Sequence, residues 1–319
     1  MFTFAAVQVY RDLHTIKQFQ NSVITIGTFD GVHKGHREII SKIKSLAKSV
    51  NGESVIITFY PHPRNIINPQ QPVFYITTLE EKLYLLRQLG VDNIVVVPFS
   101  REFSEMEAEV FADAFLIKKF KPKIIVFGYD HKFGRNRKGD IQLLKQIAAK
   151  DQVQVEEISE QTINNITISS TMIRNYLKAG NIAESNALLG YHFSLSGIVV
   201  KGDQIGRTIG YPTANLHIDD AHKIIPGYGV YVVKVMLKNN GTSHYGLLNI
   251  GNRPTLHKTE KRIETYILDF DKTIYGEEIT LTFLHFLRAD KKFDSLHDLT
   301  EAIKQDEIAG REYLSSGKY

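Results

Sequence analysis

The chain of 319 residues has the length for two domains, and 43% hydrophobic with 23% charged residues is a globular composition. No apolar run reaches the roughly 18 residues of a membrane helix, and the lack of cysteine excludes disulfides, thiolate metal sites and a cysteine nucleophile. A formal net charge of +4, from 39 basic and 35 acidic residues, suits phosphorylated small molecules better than nucleic acid, because basic clusters such as Lys132 to Lys138 are short.

From Val23 to about Leu189, short β-branched runs alternate with amphipathic helices. The strands expected are Val23–Ile26, Ser54–Phe59, Asn93–Val97, Lys123–Phe127 and Val153–Ile158. Between them, Ile39, Ile40, Ile43, Leu46, Ala47 and Val50 fall on one helical stripe, and Leu79, Leu83, Leu86 and Leu89 on another. This order predicts an α/β domain with a mostly parallel sheet covered on both faces, which binds ligands at the carboxyl ends of its strands. The segment Gly27–His36 begins at such an end.

Near Gly190 the helical period fades. Ser196–Val200, Gly229–Leu237, Tyr245–Ile250, Glu264–Phe270 and Ile279–Phe286 read as strands punctuated by Gly, Pro and Asn, as in an antiparallel barrel or sandwich. Ser295 then caps a final helix bearing Leu296, Leu299 and Ile303. The boundary expected is 186/187, giving domains 1–186 and 187–319. Met1 to Ala6 shows no basic region followed by an apolar stretch, so a cytoplasmic location is expected.

Three segments of the first half carry chemistry. In Gly27-Thr28-Phe29-Asp30-Gly31-Val32-His33-Lys34-Gly35-His36, glycines allow a tight turn and the following helix offers free N–H groups to an anion. Phe127 to Gly139 combines glycines with cations. In Ile168-Ser169-Ser170-Thr171-Met172-Ile173-Arg174, hydroxyls at a helix start precede an arginine one turn later. Read alone, the third segment is an ordinary N-cap. With the others it suits nucleotidyl transfer, in which a triphosphate is neutralised and pyrophosphate departs. His33 and His36 would donate to the phosphates, Arg174 would hold the β and γ oxygens, and Ser170 and Thr171 would add donors.

In the second half, Gly202-Asp203-Gln204-Ile205-Gly206-Arg207-Thr208-Ile209-Gly210-Tyr211-Pro212-Thr213-Ala214-Asn215 is a glycine-rich turn without the Gly-Lys-Ser/Thr of a Walker loop. Its backbone N–H groups could wrap phosphates, and Thr213 and Asn215 offer oxygen ligands to Mg²⁺.

Gly-x-Phe-Asp-Gly-x-His-x-Gly-His with Ile-Ser-Ser-Thr-x-Ile-Arg resembles the HxGH nucleotidyltransferase superfamily, in its FAD-synthetase branch. Gly-Arg-x-x-Gly-x-Pro-Thr-Ala-Asn, with Asn249 to Thr255 and Glu264 to Asp271, resembles riboflavin kinase. From about residue 20 to 315 the chain is similar to the bacterial bifunctional riboflavin kinase/FMN adenylyltransferases. The resemblance implies a Rossmann-like parallel-sheet nucleotidyltransferase domain, then an antiparallel β-barrel kinase domain with a C-terminal helix. It implies ATP contacts at Gly27, Phe29, Asp30, His33, His36, Asp130, Ser170, Thr171 and Arg174, and a second ATP site at Gly202, Gly206, Arg207, Gly210, Thr213 and Asn215. Glu264 would accept the proton of the ribityl hydroxyl, and Tyr129, Phe133, Asn252, Arg253 and Arg288 would meet the flavin. The substrates implied are ATP, riboflavin and FMN, with Mg²⁺, on a monomer or weak homo-oligomer with no nucleic-acid or membrane partner.

Departures are visible at His131, where the branch has phenylalanine, at Tyr60, where it has aspartate, and at Ala289-Asp290, where kinases read Pro-Glu. A nucleotidyltransferase acting on another phosphate would leave the second half without a role. A non-catalytic regulator would be marked by loss of His36, Arg174, Thr213, Asn215 or Glu264, and all five are present.

Overall fold

The computed structural model describes residues 7–128, 131–158, 168–254 and 259–317, with backbone alone at Ile205, Arg253, Pro254, Thr259 and Glu260. The chain forms two compact units, Met1–Ser170 and Thr171–Tyr319.

In the first unit, β1 (Gln8–Tyr10), β2 (Val23–Ile26), β3 (Ser54–Tyr60), β4 (Asn93–Pro98), β5 (Ile124–Gly128) and β6 (Gln154–Ile158) make one sheet, ordered β1-β4-β3-β2-β5-β6. Every pairing is parallel. Side chains alternate between its faces. Ile24, Ile57, Val95 and Ile125 join one buried cluster, while Val23, Ile56, Ile94 and Val126 join the other. Both faces are thus covered, which is why these strands read as unbroken apolar runs. On one face lie α1 (Lys34–Ser49), through Ile40, Ile43 and Ala47, and, beyond the short α2 (Pro63–Ile67), α3 (Leu79–Gln88), through Leu83 and Leu86. The other face carries the short turns α4 (Arg101–Ser104) and α5 (Ala108–Val110), the π-helix Phe111–Lys118 and α6 (Ile141–Ala148). The chain runs from β2 outward to β3 and β4 on one side and to β5 and β6 on the other. The carboxyl ends of β2 and β5 therefore flank the switch-point crevice in which such sheets bind ligands.

The second unit opens with α7 (Ser170–Ala179), most of which lies past the division, and α8 (Ile182–Leu189). It continues with β7 (Ser194–Val200), the single turn α9 (Ile205–Thr208), β8 (Thr213–His217), β9 (Gly229–Leu237), β10 (Ser243–Pro254), β11 (Thr259–Ile267), β12 (Glu278–Arg288) and α10 (Leu296–Ser315). The strands close into a barrel ordered β10-β11-β8-β7-β12-β9 with antiparallel pairings, so the sheet is not a sandwich. Ser295 caps α10 as expected, accepting from the Asp298 N–H at 3.1 Å.

Two expectations shift. The 186/187 boundary falls inside α8, which packs on β12 through the Asn186 side-chain amide, 3.1 Å from the Phe283 carbonyl. Gly227 N–H also bonds the Leu177 carbonyl at 2.9 Å, fixing α7 to the barrel unit. The strand expected at 264–270 instead spans Thr259–Ile267.

Candidate functional site

The first site grows from the end of β2. Phe29 (φ 48°), Gly31 (φ 81°) and Val32 (φ 38°) all take the left-handed region. For a β-branched valine this is a costly backbone, of the kind that persists where surrounding structure over-determines it. The constraint here is Asp30, only 4% exposed. Its carboxylate accepts from the backbone N–H groups of Ile76 (3.0 Å) and Thr77 (3.1 Å), while Gly31 N–H donates to Thr77 Oγ1 at 3.0 Å. Asp30 thus clasps the turn to the segment before α3 and spends its oxygens on protein groups. A Cβ at Gly31 would stand 3.0 Å from Ile76.

The turn delivers His33 to the N-cap of α1, where its Nδ1 accepts from the His36 N–H at 3.3 Å. A neutral imidazole accepting at Nδ1 carries its proton on Nε2, so that atom is a donor. The His33 and His36 rings stack with centroids 3.6 Å apart. Two imidazoles and the amino end of a 16-residue helix thereby share one spot, a natural seat for phosphate. Ser170 Oγ donates to the Asp30 carbonyl at 3.0 Å, so the two motifs meet. Thr171 and Arg174 lie beyond the division between units, the first exposed and the second 8% exposed.

Sequence reasoning missed Lys82. Within Leu-Glu-Glu-Lys-Leu it reads as part of a solvated helix face, yet it is 6% exposed. Its Nζ reaches the Thr28 carbonyl (3.0 Å), Thr58 Oγ1 (3.0 Å) and the Phe59 carbonyl (3.3 Å), joining the turn after β2 to the last part of β3. Burial pushes its pKa down to about 8, against the opposing pull of the Asp30 charge. With His62 and Tyr75 it walls a small recess of about 20 Å³.

Phe133 is a correction. At 4% exposure it is core, stacked on Phe111 with centroids 5.4 Å apart and edge-on to Phe127, so it offers no face to a flavin. Tyr129 and Asp130 lie outside the described residues, as does the Arg253 side chain.

The second site is a cleft of about 250 Å³ beside the barrel. On β11, Ile263, Thr265 and Ile267 are buried, so Arg262, Glu264 and Tyr266 take the opposite face and line the cleft. Glu264 stands directly opposite Asn215 of β8 on one side and Asn249 of β10 on the other. Three polar side chains thus form one row across three strands, with Thr213 opposite Tyr266 one step along. The far wall is α10, through Leu299, Ile303 and Asp306.

The glycine-rich segment closes in on this row. A Cβ at Gly202 would fall 2.3 Å from the Asn215 amide, and one at Gly206 would fall 2.2 Å from the Tyr211 carbonyl, so only glycine allows these approaches. Gly210 takes φ 85°. Arg207 is exposed and outside the cleft lining. Two flavin expectations change. Asn252 is exposed outside the lining and Asn249 is the cleft residue, because strand parity puts 249 and 252 on opposite faces. Arg288 lines the cleft, but its Nε and Nη2 are both held by Asp306, each at 2.7 Å.

The sequence resemblance implies a divalent metal. Among the described residues no group of three or more His, Asp or Glu is placed to hold one. Thr213 and Asn215 are neutral oxygen donors, which fit a hard cation whose remaining ligands are phosphate oxygens and water.

Residues 15–172 match the FAD synthetase family model, and residues 189–314 match the riboflavin kinase model. The bifunctional riboflavin kinase/FMN adenylyltransferase of Listeria monocytogenes is 36% identical over 92% of this chain and 93% of its own length. Those of Escherichia coli K12 (33%, covering 98% and 99%) and Bacillus subtilis (35%, covering 95% and 96%) are alike throughout. A crystal structure described as a macrolide-efflux protein from Streptococcus pneumoniae superposes with TM-score 0.84 at 32% identity, covering 96% of this chain and 99% of that one. Among the described residues here, no helix is long and apolar enough to cross a membrane. Both halves match their own family model, and relatives above 30% identity span nearly all of the sequence. The chain belongs to the bifunctional riboflavin kinase/FMN adenylyltransferase family.

Proposed function

We propose that the chain makes FAD in two steps, each on its own site. In the barrel unit, the 5′-hydroxyl of riboflavin attacks the γ-phosphorus of ATP, giving FMN and ADP. Glu264 takes the hydroxyl proton, Asn249 and Asn215 flank that carboxylate, and the segment from Gly202 to Gly210 wraps the phosphates. In the parallel-sheet unit, a phosphate oxygen of FMN attacks the α-phosphorus of a second ATP, releasing pyrophosphate. His33 Nε2–H, His36 and the amino end of α1 stabilise the charge that builds on the phosphates, and Arg174 keeps the role its motif implies. Neither reaction needs a covalent enzyme intermediate, so positioning and electrostatics carry the rate.

Mg²⁺ is the proposed metal; held by Thr213 and Asn215 with the triphosphate, it would neutralise the phosphate oxygens during γ transfer. The observation that carries the kinase assignment is the row Asn215–Glu264–Asn249, which seats one carboxylate beside two neutral donors at the cleft.

Chromatographic separation of flavins after incubation with riboflavin, ATP and Mg²⁺ tests the scheme. Glu264→Gln should stop FMN formation and leave FMN-to-FAD conversion, and His36→Ala should do the reverse. If either substitution silences both reactions in folded protein, the two-site assignment fails.

A further inference from the structure

The cleft beside the barrel is lined by four carboxylates, Asp203, Glu264, Asp290 and Asp306, against two guanidinium groups, Arg262 and Arg288. Arg288 is bound through both oxygens of Asp306. Arg262 occupies a different place. It precedes Glu264 by two residues on β11, so both project from the same face of the strand. Its Nη1 lies 3.1 Å from Glu264 Oε1, and its Nη2 bonds the carboxylate of Asp203 in the glycine-rich segment. The side chains of Arg262 and Glu264 are each 23% exposed, so the contact is shielded from solvent more than a surface pair is. One guanidinium therefore ties the segment that wraps phosphates to the carboxylate that takes the substrate proton.

We infer that Arg262 is a positioning residue of the kinase site, locking the Gly202–Gly210 segment to Glu264 and offsetting the two carboxylates where the triphosphate enters. ATP is a polyanion, and a cleft with an excess of carboxylate repels it unless a cation stands at the point of entry. Riboflavin is uncharged and is indifferent to that balance. The arginine is also well held in its charged form. Burial opposes the charge, but the hydrogen bond to Asp203 and the charge of Glu264 outweigh it and raise its pKa. The inference rests on the kinase reading above, deepening it with a residue that none of the motifs contains.

The test compares the full chain with R262Q, R262K, D203N and the double variant R262Q/D203N. Initial rates of FMN formation give KM for MgATP and for riboflavin separately, and thermal unfolding followed by circular dichroism on the same samples reports folding of the barrel unit. R262Q should raise KM for MgATP about tenfold, the size of one charge-assisted contact, while KM for riboflavin stays within about twofold. R262K should recover part of the loss. The double variant should be no worse than R262Q, because both changes break one contact. An R262Q enzyme with unchanged KM for MgATP, a parallel rise in both KM values, or a double variant equal to the product of the singles overturns the inference. Should R262Q misfold, R262K and D203N decide by the same criteria. A wild-type chain that forms no FMN at all would instead sink the kinase reading.

Discussion

Ser170 donates its hydroxyl to the backbone carbonyl of Asp30 at 3.0 Å, across 140 residues of sequence. The bond joins the start of α7 to the strained turn that aims His33. Ser170→Ala removes one hydrogen bond worth about 1 kcal/mol. It should slow FMN-to-FAD conversion severalfold while riboflavin phosphorylation is unchanged. Equal rates of FAD formation in variant and wild type would show that the turn holds its shape without this tether.

Asp30 itself is a structural clasp. Its oxygens receive the N–H groups of Ile76 and Thr77, and charge-assisted bonds of this type contribute about 1.5–3 kcal/mol each when both partners are buried. Asp30→Asn halves the accepting capacity, and unfolding by urea should find the first unit destabilised by about 2 kcal/mol. FAD formation should fall with it. An unchanged midpoint would mean that the turn is set by its glycines and neighbours alone.

Lys82 supplies a pH signature. Its folded pKa, about 8, lies below the ordinary 10.5. Between those values the unfolded chain binds the proton that the folded chain has lost, so this residue makes stability rise with pH from about 8 to 10.5 and adds no slope below. In Lys82→Met the increment disappears. The difference in unfolding free energy between wild type and variant should therefore grow in favour of wild type across that window, by an amount on the order of 3 kcal/mol. A flat difference from pH 7 to 10.5 would mean that Lys82 is not desolvated as its three oxygen partners imply.

Removal of divalent metal should stop both reactions, and added Mg²⁺ should restore them. Thr213→Ala should raise the Mg²⁺ concentration needed for FMN formation and leave that for FAD formation alone. Equal Mg²⁺ curves for the kinase step in variant and wild type would remove Thr213 from the metal site.

Much of this was legible in the amino-acid order, for identifiable reasons. Strands β2 to β5 are apolar on both faces, so their apolar runs mark them to within a residue. β1 escaped because three residues carry no period, and β8 because Pro-Thr-Ala-Asn reads as a turn. Pairing with β7 and β11 on its two sides makes that segment a strand. Glu264 lines the barrel cleft, and His33 and His36 stack at the amino end of α1. Lys82 and Arg262 were invisible, and Asn249 stood in its motif without a role, since the burial of a helix lysine and the facing of a strand residue are decided by packing and register. Phe133 failed in the opposite sense, because an aromatic among cations looks like a ligand contact until its neighbours prove to be Phe111 and Phe127.

The closed ring of strands has one more consequence. Every strand of the barrel finds a neighbour on each side, so it presents no open backbone edge onto which another chain could add. Among the described residues the parallel sheet does end in two such edges. One is β1, only three residues long, and the other is β6, where Glu156 and Glu157 keep the two faces of the outermost strand charged, paired with Lys42 and Lys145 at 3.7 Å each. Short length and carboxylate gatekeepers are the devices by which sheet proteins resist fibre-like aggregation.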